Sequence, residues 1–81
     1  MRSSTTVSKS DAEIVVNRGQ RQAVVISRVG GGYAVRYYLI DQPTGRQLHA
    51  CTILKSGRRR QTKFKDLKRA MAAAQRWINE S

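Results

Sequence analysis

The chain has 81 residues, with 16 Lys and Arg against 5 Asp and Glu, a formal net charge of +11, and hydrophobic residues at 40%. That suffices for one small domain with a thin core, and so much like charge points to a polyanionic partner. Cys51 is the one cysteine, which excludes an intrachain disulfide and a cysteine-built zinc site, and no run approaches the ~20 apolar residues of a membrane span.

Residues 1–10, MRSSTTVSKS, are small and polar. They contain no apolar core of a secretory signal and are expected to be a disordered tail ahead of a single domain over residues 11–81. Ser10 and Glu13 have the spacing of a helix capping box, whereas Ile14, Val15 and Val16 are β-branched. Residues 11–18 therefore fit either a short helix or a strand, with the strand preferred. QAVVISRV, residues 22–29, reads as a strand, and the three glycines at 30–32 as a hairpin loop. A phosphate-loop reading of those glycines fails, because no Gly-Lys-Ser/Thr follows and no helix begins there.

Residues 33–41, YAVRYYLID, form the strongest strand pattern, rich in aromatic and β-branched residues. Gln42-Pro43-Thr44-Gly45 is a turn, and residues 46–55 read as a further strand. If Asp41 pairs with Arg46, then Leu39 faces Leu48, Tyr37 faces Ala50 and Val35 faces Thr52, which makes a core face. The opposite face then presents Arg28, Arg36, Tyr38, Gln47, His49 and Ile26. At least two of Tyr33, Tyr37 and Tyr38 are expected in the core. Leu67, Ala70, Met71, Ala74, Trp77 and Ile78 fall on one stripe of an α-helix, with Asp66 as its N-cap. The expected fold is α+β: a three- or four-stranded antiparallel β-meander packed on one C-terminal α-helix.

Half of the basic residues lie in one stretch, residues 55–69, KSGRRRQTKFKDLKR. Lys55, Arg58, Arg59, Arg60, Lys63, Lys65, Lys68 and Arg69 are opposed there only by Asp66. Folded elements on either side should hold this charge in place, and fixed positive patches on small proteins most often meet phosphate. Lys65, Lys68 and Arg69 also stand at a helix start, where the macrodipole is already positive and acids would favour stability. That placement reads as an anion site. With Arg28, Arg36, Tyr38 and Arg46 from the sheet, these residues are the expected nucleic-acid-binding set. Arginine meets phosphate or guanine edges, and tyrosine stacks on sugars or unpaired bases.

Catalysis is not expected. Asp11, Glu13, Asp41, Asp66 and Glu80 each have a structural or terminal explanation, and no carboxylate pair, nucleophile with base or metal cluster stands out. His49 lacks ligand partners at any recognisable spacing, and Cys51 reads as a small strand residue. No cofactor is expected.

From Gly32 to Glu80 the chain resembles the small N-terminal arm-binding domains of phage and transposon tyrosine integrases. The likeness is carried by GYAVRYYLIDQPTGR, RRRQTKF and KRAMAAAQRWINE, with Tyr33, Val35, Arg36, Tyr37, Gly45, Arg46, Phe64, Ala70 and Trp77 on the outline. The resemblance implies a three-stranded sheet that enters a DNA major groove, backed by the helix. Lys63 stands where that family usually has glycine, the link from Lys55 to Lys63 is long, and a free-standing domain without a recombinase domain is expected. Were residues 10–18 helical, the order αβββα would resemble double-stranded RNA-binding domains, although their Lys-Lys-x-Ala-Lys motif is absent. The expectation is a cytoplasmic or nucleoid-associated DNA-binding factor of phage or plasmid type, architectural or regulatory in transcription or recombination. Alternatives are an accessory protein that modulates an acidic host protein, and a duplex-RNA binder. An open sheet edge leaves homodimerisation available.

Overall fold

In a computed structural model, which describes residues 5–10, 13–50, 53–54 and 56–80, the chain folds as one antiparallel sheet covered by one helix. The strands are β1 Thr5–Lys9, β2 Glu13–Arg18, β3 Arg21–Ser27, β4 Tyr33–Ile40, β5 Gln47–His49 and β6 Lys63–Phe64, followed by α1 Leu67–Asn79. Strands β1 to β5 lie side by side in chain order, and β6 also pairs with β4. The expected meander and helix are present, with more strands than the three or four read from the sequence.

The additional strand lies in the region expected to be a disordered tail. Thr5–Lys9 pairs antiparallel with β2, in the register Val7 to Val16 and Lys9 to Ile14. Its five residues are exposed and largely polar, so burial contributes little and its order comes from the hydrogen-bond ladder. Ser10 and Glu13 join the two strands, the Ser10 N–H donating to the Glu13 carbonyl at 2.8 Å. Their spacing marks a hairpin turn, not a helix cap, and residues 13–18 are strand. The αβββα order on which the RNA-binding-domain resemblance depended is therefore absent.

Helix α1 packs on one face of the sheet. Ala70 and Ala74 are fully buried, and their small side chains let the helix axis approach the strands closely. With Trp77 and Ile78 they meet Val16, Ala23, Val25, Val35, Tyr37 and Ala50, and this cluster is the core. The Trp77 Nε1–H donates to the Gln22 carbonyl at 3.0 Å, and the Trp77 ring meets Tyr37 edge-on at 5.6 Å. Such an arrangement satisfies the buried indole donor and adds aromatic contact to area burial. Tyr37 is buried and Tyr33 is half-buried against the core, whereas Tyr38 faces away from α1.

The register around the Gln42–Gly45 turn is the expected one. Leu39 pairs with Leu48, Tyr38 with His49, and the Ala50 N–H donates to the Tyr37 carbonyl. Leu39 and Leu48 nevertheless stay exposed, at 38% and 49%. They lie at the end of β4 beyond the reach of the helix, so this part of the expected core face is rim.

A larger departure concerns the strand expected over residues 46–55, because β5 ends at His49. The partner along the first half of β4 is β6, in the register Tyr33 to Phe64 and Ala34 to Lys63, with the Val35 N–H donating to the Thr62 carbonyl at 2.8 Å. Thr62 thus fills the place expected for Thr52, which lies outside the described residues. Before β6, Ile53 is bridged to Arg59, Leu54 N–H donates to Arg58 O at 2.8 Å, and Gly57 N–H donates to Leu54 O at 2.9 Å. In effect one edge strand is interrupted by a basic excursion and then resumes. Phe64 provides the reason: it packs against the core, where the extended reading would have placed Leu54.

Candidate nucleic-acid interface

Around the end of the sheet that carries the residue 30–32 loop, three separate segments deliver basic side chains to one cleft. Arg28 comes from the end of β3, Lys63 and Lys65 from β6 and its exit, and Arg69 from the first turn of α1. With Gly31, Gly32, Gln61 and Phe64 they line a cleft of about 480 Å³. The hairpin loop fixes one wall: Arg28 N–H donates to Gly32 O at 3.0 Å, and Gly31 N–H to Arg28 O at 3.2 Å. Gly32 has φ +82°, and a Cβ there would lie 2.9 Å from the Phe64 carbonyl oxygen. Glycine is therefore needed both for the backbone conformation and for the close approach that seats the loop against β6. The triple glycine is the expected hairpin loop, and sequence reading missed its second use as a wall of this cleft. Nothing in the linear order brings residue 31 beside residue 69.

The helix start is not the open anion site that was expected. The Asp66 carboxylate accepts from the Arg69 backbone N–H at 2.8 Å, and its other oxygen lies 3.5 Å from the Arg69 Nε. The N-cap thus satisfies the free amide with its own charge. What remains at this end is the side-chain cations, with Lys68 exposed on the first helical turn beside them.

Arg60 is likewise withdrawn from the expected set. Its side chain is only 10% exposed, and its Nη2 lies 2.5 Å from the Glu80 Oε2. The guanidinium stands 5.2 Å from the Trp77 ring centre and 5.4 Å from that of Tyr37, and its Nε is buried without a partner. Arg21 covers Trp77 at 4.2 Å, donates to the Trp77 carbonyl at 3.2 Å and approaches Glu80 at 3.9 Å, while Arg18 donates to Asn79. These arginines cap the negative end of the α1 dipole and shield the indole. Burial raises the Tyr37 hydroxyl above its ordinary pKa of 10.0, partly countered by Arg60. The neutral hydroxyl donates to the Gln61 carbonyl at 2.6 Å. That bond and the Arg60 stack draw the chain back to β4 after the excursion.

Arg58 and Arg59 lie exposed in the excursion, and Lys55 lies outside the described residues. On the sheet face away from α1, the registers align Val15, Val24 and Arg36 in one row, and Asn17, Gln22, Tyr38 and His49 in another. Ile26, Ala34 and Lys63 make a third row, which leads toward the cleft. Gln22 accepts from Gln47 and donates to Asn17 at 2.8 Å, and the Tyr38 and His49 rings lie 5.3 Å apart. The amide chain across three strands was not read from the sequence, because it depends on pairing β2 with β3. Arg46 is exposed at the opposite end of β4, just after the Gln42–Gly45 turn, and is not part of the cleft.

Among the described residues no group of three or more His, Cys, Asp or Glu is placed to hold a metal ion, and no helix is long and apolar enough to cross a membrane. Compared with family models, curated proteins and solved structures, the chain matches none.

Proposed function

We propose that this chain is a nucleic-acid-binding protein that takes duplex DNA as an architectural or regulatory factor of phage or plasmid type. One observation carries the reading: three separated segments converge four cations, Arg28, Lys63, Lys65 and Arg69, on one cleft that no acidic residue among the described ones lines. Stability does not require this convergence, since like charges brought together repel. Arg58 and Arg59 extend the positive surface along the sheet edge. The face bearing Arg36, Tyr38, Asn17, Gln22 and Gln47 offers side chains of the kinds that read base edges.

Fluorescence anisotropy with duplex DNA, duplex RNA and single-stranded DNA, each at two salt concentrations, tests the proposal. We expect submicromolar binding to duplex DNA that persists near physiological salt. Four to six phosphate contacts correspond to a slope of log K against log salt of about −4 to −5. Weak binding to all three that vanishes with salt would overturn the proposal. It would favour the second reading, an accessory protein for an acidic partner protein. The exposed pair Leu39 and Leu48 supports that reading, because an apolar rim adds nothing to phosphate binding.

A further inference from the structure

The cationic cleft differs from the rest of the basic surface in being concave. Arg58, Arg59 and Lys68 lie exposed on a turn and a helix, where a continuous phosphodiester backbone can run past them. Arg28, Lys63, Lys65 and Arg69 instead surround a hollow of about 480 Å³, within the usual range of small-ligand sites. The shape is built in: Gly32 packs against the Phe64 carbonyl, so the loop wall cannot move outward without leaving β6. Gln61, also in the lining, is positioned through its backbone, which accepts the Tyr37 hydroxyl. Asp66 partly compensates Arg69 from outside the lining, and the other three cations form no ion pair with a described residue.

We propose that this cleft binds a dianionic phosphate monoester, as carried by the 5′ end of a nucleic-acid strand or by a free nucleotide. The inference rests on the nucleic-acid reading and deepens it. A diester in mid-strand carries one charge, whereas a terminal monoester carries close to two near neutral pH. A fixed cation at about 6 Å multiplies the affinity for that additional charge by about 1.7 at physiological salt. Three to four such cations give a preference of roughly five- to tenfold for a phosphorylated end.

The test uses the full chain and three forms of one short duplex: 5′-phosphorylated, 5′-hydroxyl, and closed at both ends by loops. The phosphorylated duplex should bind about five- to tenfold more tightly than the other two. Lys63→Gln with Lys65→Gln should cut that preference to about threefold or less, the share left to Arg28 and Arg69, and Arg58→Gln with Arg59→Gln should preserve it while weakening all three duplexes alike. Thermal melting confirms that both double variants remain folded, as expected for exposed side chains. Equal affinity for the three duplexes would overturn the end-binding inference and leave the nucleic-acid proposal standing. A preference that the Lys63 and Lys65 substitutions leave undiminished would overturn the assignment to this cleft. Failure to bind any duplex would sink both readings. Adenosine monophosphate should abolish the end preference without displacing the closed duplex, and equal displacement of both would count against the cleft. Competition at concentrations equal to the strand ends identifies the free nucleotide as ligand, and competition only in large excess identifies the strand end.

Discussion

Replacing the three consecutive arginines one at a time should divide them into two kinds. Arg60→Ala removes a guanidinium that is 10% exposed, hydrogen-bonded to Glu80 at 2.5 Å and stacked beside Trp77 and Tyr37. The half-exposed ion pair contributes about 1 kcal/mol, and the two aromatic contacts about 0.5–1 kcal/mol each. Burying the aliphatic stem against the rings adds about 1–2 kcal/mol, offset by about 1 kcal/mol for the buried Nε that has no partner. Glu80 is not stranded, because it is 40% exposed and keeps Arg21 at 3.9 Å. The net loss is about 2–4 kcal/mol, which in a domain of this size lowers the melting temperature by roughly 10–30 °C. Arg60→Met, which keeps the stem without the charge, should lose about half as much. Arg58→Ala and Arg59→Ala should each change stability by less than about 0.5 kcal/mol. They should instead reduce the salt slope of nucleic-acid binding by about 0.9 for each phosphate that is no longer neutralised. Circular-dichroism melting and fluorescence anisotropy on the same preparations read both quantities. If Arg60→Ala melts within about 3 °C of the parent, a shift of well under 1 kcal/mol, the role assigned to the Trp77 stack is wrong.

Three further substitutions test other parts of the structure. Gly32→Ala meets both the left-handed backbone and the Phe64 carbonyl at 2.9 Å, while Gly31→Ala, at φ +105°, meets open space; urea unfolding should show a loss of about 2–3 kcal/mol for the first and about 1–2 for the second, and equal losses would refute the packing argument. Asp66→Ala removes the helix cap and should cost about 1 kcal/mol while tightening nucleic-acid binding, since it frees Arg69; weaker binding in a folded variant would contradict the cleft. Because burial raises the Tyr37 pKa in the folded state, the unfolded chain releases that proton first. Its contribution is intact below pH 10 and is lost as the pH rises through the folded value, so Tyr37→Phe should flatten the alkaline decline in stability. An unchanged decline, measured from denaturant midpoints between pH 8 and 11, would place the Tyr37 hydroxyl outside the linkage.

Periodicity alone marked α1, because its apolar stripe is a property of neighbouring turns. Composition marked β3 and β4, whose β-branched and aromatic runs are flanked by glycine and proline. The register of Leu39 with Leu48 followed from the turn between them. Other features escaped, three of them for distinct physical reasons. β1 carries little apolar signal, and only the ladder with β2 orders it. Leu39 and Leu48 sit in the right register, yet whether they are covered depends on where a helix ends in space. Arg60 cannot be told from Arg58 and Arg59 by composition; its burial depends on Trp77 and Glu80, which arrive seventeen and twenty residues later.

The interrupted edge strand explains how so much charge is tolerated in so small a domain. Continued through residues 51–55, the strand would have set Leu54 beside Tyr33 and left the arginine run beyond the end of the sheet, held by nothing. With Phe64 in that place instead, the chain is tied to β4 on both sides of the excursion, at Ala50 and again at Thr62. Arg60 supplies the tie on the returning side by committing its charge to Glu80 and its stem to the core rings. The same return carries Lys63 and Lys65 to the residue 30–32 loop, where they meet Arg28 and Arg69. One arginine of the run is therefore consumed as an anchor so that the cations on either side of it stand at fixed positions. Loosening that anchor should blur the interface before it unfolds the domain. Arg60→Met should accordingly weaken the preference for phosphorylated ends at temperatures well below its own melting point, and a preference that stays constant up to the melt would refute this coupling.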